Sequence, residues 1–134
     1  MMKAALEDPI RPEDLARHLA EASLEKKATE LAILDMQGLI DYADIFVICS
    51  ASNRRQVQAI AEEVRRHAKH ELNLQATAVE GYQAARWVLV DFGDVVVHVF
   101  DGALRGFYDL DGLWADAPRL PLPEGAEPAL PPLP

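Results

Sequence analysis

The chain has 134 residues, half of them hydrophobic, a length and balance that suit one globular domain and exclude a fibre or a disordered chain. Its formal net charge is −9, from 13 Lys and Arg against 22 Asp and Glu, and residues 71–134 hold only 3 of those bases but 10 of the acids. That balance repels bare phosphate, so little direct nucleic-acid binding is expected, and it favours a basic protein as partner.

No run of about eighteen apolar residues occurs, so no membrane span is expected. The opening "MMKAALEDPIRPED" places acids where a secretion signal needs an apolar core. The single cysteine, Cys49, sits in an apolar run. It has no internal disulfide partner and belongs to no zinc-type cluster, which fits a reducing cytoplasm.

"RPEDLARHLAEASLEKKATE" (residues 11–30) reads as a first helix. Pro12 suits its first position, Glu13 and Asp14 complement the positive end of the helix dipole, Leu15, Leu19 and Ala22 form one stripe, and the Lys26-Lys27 pair fits its end. "LAILDM" and "DIFVICSA" read as strands buried on both faces, joined by the mixed link "QGLIDYA". "SNRRQVQAIAEEVRRHAKHELN" reads as a long helix with Ser52 as N-cap. Val57, Ile60, Ala61, Val64 and Ala68 fall on one face, and Arg54, Arg55, Glu62, Arg65 and Arg66 form a solvated opposite face.

A short strand is expected within "QATAVEGY". The most structured stretch is "ARWVLVDFGDVVVHVF" (residues 85–100), two strands around a Gly93-Asp94 turn. Phe92 then lies opposite Val95, Leu89 faces His98 and Trp87 faces Phe100. One hairpin face becomes Val88, Val90, Phe92, Val95, Val97 and Val99. The other carries Trp87, Leu89, Asp91, Val96, His98 and Phe100. A short helix or turn fits "RGFYDLDGLWADAP". From Pro118 the Pro-rich "PRLPLPEGAEPALPPLP" reads as a disordered or extended tail, giving a domain over residues 1–118 and a tail over 119–134. Strands alternating with helices, then a late hairpin, predict an α/β domain with a mixed sheet of about five strands flanked by helices.

No motif for nucleophilic catalysis is present, and Cys49 falls in a strand expected to be buried. His98, alone among valines, reads first as a hydrogen-bonded core or interface residue, because a general base needs an orienting partner and a cleft. Residues 50–55, "SASNRR", join a strand to a helix, where backbone N–H groups can hold phosphate. The Gly-rich phosphate patterns are missing, however, and a plain helix cap accounts for the segment. Asp35, Asp41, Asp44, Asp91 and Asp94 fall at strand ends, where metal sites occur but where turns also place Asp. Trp87, Phe100, Tyr108 and Trp114 crowd the acidic half, and aromatic side chains anchor protein interfaces.

"LAILDMQGLIDYADIFVICSASNRRQVQAIAEEV", "VEGYQAARWVLVDFGDVVVHVF" and "FYDLDGLWADAP", in that order over about residues 13–118, resemble the ribosomal silencing factor family, also called Iojap-related. The resemblance implies a ribosome-binding protein and not an enzyme, with no cofactor or metal. It implies docking on the large subunit through ribosomal protein fourteen of that subunit, hindrance of small-subunit joining and so lowered translation, with a role in large-subunit assembly among its relatives. The implied fold is nucleotidyltransferase-like without a working catalytic set. Carried over, the partner-binding candidates are Trp87, Asp91, Asp94 and His98 of the hairpin, with Tyr108, Asp109, Leu110 and Trp114 of the last motif. Trp87 and Tyr108 are expected as aromatic anchors, Asp91, Asp109 and Asp116 as charges offered to a basic protein, and His98 as a hydrogen-bonding support. Two other readings remain: a nucleotidyltransferase-like enzyme using residues 50–55 and the strand-end acids, and a homodimer formed by pairing of the exposed hairpin edge.

Overall fold

The structure is a computed structural model that describes residues 9–108 and 110–129, with side chains described outside 106–111. The chain runs α1 (Pro12–Glu25), β1 (Thr29–Asp35), β2 (Ile45–Ala51), α2 (Arg54–Leu72), β3 (Ala78–Glu80), β4 (Trp87–Asp91), β5 (Val95–Asp101), α3 (Gly102–Tyr108) and α4 (Leu110–Leu113). One mixed sheet has the order β1-β2-β5-β4-β3. The central β2/β5 pair is parallel and the other pairs are antiparallel. All seven residues of β2 and six of seven in β5 are buried, as continuous Ile and Val runs require of strands covered on both faces.

The hairpin has the register its turn dictates. Gly93 takes φ +91°, the Phe92 N–H donates to the Val95 carbonyl at 2.9 Å, and Trp87 pairs with Phe100, Val88 with Val99, Leu89 with His98. The valine face packs under α1 and α2, against Leu15, Leu19, Val57, Ile60 and Val64. The outer edge of β4 is not free. β3 pairs with it from Ala78↔Asp91 to Glu80↔Leu89, so the exposed hairpin edge expected from the sequence is closed by a three-residue strand. Gly81 makes that return possible. It takes φ +82°, and a Cβ there would lie 2.3 Å from the Trp87 carbonyl oxygen.

Helix α1 begins at Pro12, as expected, with Glu13 and Asp14 in its first turn. The cap of α2 is Asn53 and not Ser52, because the chain stays extended through Ala51. The Asn53 side chain accepts from the Gln56 N–H at 2.8 Å. Gln56 in turn accepts from Ser52 N and Oγ and donates to the Lys26 and Lys27 carbonyls.

The Pro-rich segment takes the extended alternative and joins the sheet. Pro118 accepts from the Asp35 N–H, the Leu120 N–H donates to the Ile33 carbonyl, and Leu31 exchanges bonds with Glu127 and Ala129, all at 2.8 Å. Ala117 and Ala129 are buried, and Leu120, Leu122 and Ala126 pack on the α1/α2 side. The polar edge of β1 is thereby satisfied, and among the described residues packing continues past the 118/119 boundary the composition suggested. Residues 130–134 lie outside the described residues.

Replacing Gly81 by Ala forces a left-handed L-residue against backbone. The expected loss is about 2 kcal/mol or more in urea unfolding, whereas Gly93→Ala, with open space around its Cβ, costs less.

Candidate partner-binding face

The second sheet face is built from the Trp87, Leu89, Val96, His98 and Phe100 side of the hairpin and the matching residues of β1 and β2. Ala32, Leu34, Phe46, Ile48, Val96 and Phe100 form its buried floor, with Met36, Ala43, Ala117 and Ala129 around them. Among the described residues no long helix covers it. The 112–117 segment lays Trp114 edge-on to Phe46 (ring centroids 6.4 Å apart), while Trp87 and Leu89 at the β4 side stay half-buried. Trp87 stacks on Phe100 at 5.1 Å. The β1–β2 loop adds Leu39, 44% exposed, and Tyr42, 65% exposed and tilted against Phe46. Leu113 is 68% exposed.

His98 is the polar centre of this face. The Trp87 Nε1–H donates to its Nδ1 at 3.1 Å, and Phe46 packs edge-on with ring centroids 4.4 Å apart. An indole nitrogen only donates, so Nδ1 accepts and the neutral ring carries its proton on Nε2. Nε2 is buried and has no hydrogen-bond partner among the described residues. Burial pushes the imidazole pKa down to about 3. With 4% of its surface exposed, His98 supports the face from beneath, orienting Trp87, and is not itself surface. A general base needs an accessible reacting proton, and this site supplies none.

The other candidates divide. Asp91 is half-exposed at the end of β4, and its Oδ1 accepts from the Gly93 N–H at 2.8 Å, so it also shapes the turn. Asp94 is exposed, and its carbonyl accepts from the N–H groups of Asp44 and Ile45, tying the turn to the start of β2. Asp116 is exposed beside Trp114. Asp109 and the side chains of Tyr108 and Leu110 lie outside the described residues.

The alternative enzyme loop is engaged by the fold. Ser50 is buried, and its Oγ accepts from Arg105 Nη1 at 2.8 Å, which also donates to the Glu30 carbonyl at 2.5 Å. Arg105 is buried and thus ties α3 to the bulged start of β1, where Glu30 takes φ +52°, and to the end of β2. Asp35, Asp91 and Asp101 each accept a backbone N–H within two residues. Among the described residues no group of three or more His, Cys, Asp or Glu could hold a metal ion. Cys49 is wholly buried, and desolvation raises its thiol pKa to about 12, which removes it as a nucleophile.

Sequence reasoning missed Leu39, Tyr42 and Arg105. Two large apolar residues in a Gly-containing link were a signal for an exposed loop contact. Nothing local marks Arg105, whose partners lie 55 and 75 positions away.

The molecule is thus an α/β domain with two long helices on one sheet face and a half-covered aromatic face on the other. The family model for "Ribosomal silencing factor during starvation" matches residues 9–131. The chain is 47% identical over 106 residues to the ribosomal silencing factor RsfS of Bacillus subtilis, covering 79% of this chain and 89% of that one. It is 44% identical over 110 residues to that of Halalkalibacterium halodurans, covering 82% and 93%. A crystal structure from Bacillus halodurans superposes with TM-score 0.72 at 41% identity, covering 82% of this chain and 99% of that one. The chain belongs to the ribosomal silencing factor family.

Because folded His98 is neutral and the unfolded imidazole titrates near its ordinary value, the unfolded chain binds the extra proton as pH falls. His98 therefore contributes stability above about pH 6.5 that is lost toward pH 3, by up to about 1.4 kcal/mol per pH unit. In His98→Leu the stability curve from chemical denaturation should be flatter by that slope. Parallel wild-type and variant curves would contradict the buried neutral imidazole.

Proposed function

We propose that this chain docks on the large ribosomal subunit through that subunit's ribosomal protein fourteen, and that its bulk there blocks the small subunit and so represses translation in the cytoplasm. No covalent chemistry is involved, so it is not an enzyme. A contribution to large-subunit assembly uses the same contact. The observation that carries the reading is the half-covered face around Trp87 in a chain of this family. Two supports accompany it. Trp87, Leu89 and Trp114 are large, partly accessible and held by a rigid floor, the properties of interface anchors. Asp91, Asp94 and Asp116 rim the face with negative charge, which complements a basic protein and speeds encounter. Tyr108, Asp109 and Leu110 belong to the same proposed contact by family pattern. An interface on the order of 1,600 Å² is enough for specific docking.

The test is co-sedimentation with isolated large subunits and with joined ribosomes. The protein should pellet with the former and be absent from the latter. Trp87→Ala should weaken binding about tenfold or more while unfolding cooperatively, because its ring is only half-buried. Equal loss of binding and of folded protein would instead mark Trp87 as a core residue, and a wild-type chain left in the supernatant would refute the reading.

A further inference from the structure

The net charge hides a strong asymmetry. Several cations are tied into the fold or into local pairs: Arg105 to Ser50 and Glu30, Arg119 to the Ala129 carbonyl, Arg54 to the Ala84 carbonyl, Arg66 to Glu63, Arg17 to Asp14 and Arg11 to Glu13. Lys26, Lys27, Arg55, Arg65 and Lys69 are different. All five are exposed; Lys26 lies near enough to Glu63, and Arg65 to Tyr82, to act on them electrostatically, but none of the five is locked in a close ion pair like that of Arg66 with Glu63. They also lie on one side of the molecule. Gln56 binds the Lys26 and Lys27 carbonyls to the first turn of α2, so these lysines flank Arg55 around one shallow hollow that also takes in Glu25, three cations against one acid. Arg65 and Lys69 line a second hollow, with His70, at the other end of α2. Arg55 and Lys69 stand fourteen positions apart on the helix, about 21 Å at 1.5 Å per residue.

The acids on this surface are partly engaged. Glu63 is held by Arg66 in a two-pronged ion pair that keeps its carboxyl pKa low, and Glu62 accepts from the Tyr82 hydroxyl. Glu25 and Glu71 remain beside Arg66. The large exposed apolar residues, Leu39, Tyr42 and Leu113, are all elsewhere, so α2 carries no apolar wedge for a lipid interface.

We propose that the outer face of α2, with the Lys26-Lys27 turn, is a docking strip for the phosphate backbone of ribosomal RNA. The proposal rests on the ribosome-binding reading and adds a second contact to it. The buried face of α2 packs on the sheet from the side opposite Trp87, so the chain sits between a basic ribosomal protein on its aromatic side and RNA on its helical side. A line of exposed cations about 21 Å long follows a backbone and reads no bases, so it adds affinity and orientation without sequence preference.

The test measures binding to isolated large subunits over a series of salt concentrations, for the wild-type chain, for the triple variant Arg55→Gln/Arg65→Gln/Lys69→Gln, and for Trp87→Ala. Removing one cation from a phosphate should lower the slope of log affinity against log salt by about one unit or slightly less. The triple variant should therefore bind more weakly with a slope smaller by about two to three, at an unchanged melting temperature. Trp87→Ala should bind more weakly with the slope kept. A triple variant with the wild-type slope overturns the proposal. So does a triple variant that binds subunits normally but no longer binds vesicles of phosphatidylglycerol, which would make the strip a membrane contact. A wild-type chain that binds at no salt concentration overturns the ribosome reading itself, a result distinct from either.

Discussion

The turn at residues 92–95 is the constraint on which the rest depends. A two-residue turn with Gly93 at positive φ fixes the pairing of β4 with β5, and strand side chains alternate with a period of two. A slip of β4 by one residue against β5 would move Val88 and Val90 off the helices and bury Trp87 and Leu89 beneath them. With the register set, five valines of the hairpin complete the core under α1 and α2. Trp87, His98 and Phe100 are left on the side opposite α1 and α2.

That second side is held open and rigid by contacts from distant parts of the chain. Arg105 joins α3 to β1 and β2, so the segment leading to Trp114 begins from a fixed point. Residues 118–129 close the β1 edge and end the sheet on that flank, while β3 ends it on the other. Between them, Trp87 is fixed from below by His98 and from the side by Phe100. An aromatic side chain ordered before binding loses little further freedom when a partner arrives, which favours its use as an anchor.

Much of this was legible in the chain because it is locally encoded. The Gly93-Asp94 turn, the alternation around it, the 3.6-residue stripe of α2 and Pro12 at the start of α1 each need only a few neighbouring residues, and each reads directly into the structure. Capping was legible only approximately, since Ser52 and Asn53 are both good caps and the choice depends on how far β2 stays extended. The Pro-rich segment has no periodicity to read. Its order comes from hydrogen bonds to β1, some ninety positions earlier, which composition cannot show. His98 was legible as a supporting hydrogen-bonder, but its depth depends on Phe46, distant in sequence. The five cations of the α2 strip were legible as residues but not as a surface, because Lys26 and Lys27 join α2 only through Gln56.

The acidic balance and the open aromatic face both accord with the proposed basic partner on the sheet side of the domain. The most direct test of that claim is an electron cryo-microscopy structure of the chain bound to isolated large subunits. The account predicts Trp87, Leu89 and Trp114 buried against a protein of the large subunit. A bound chain whose Trp87 face points into solvent, with all its binding made elsewhere, would contradict it.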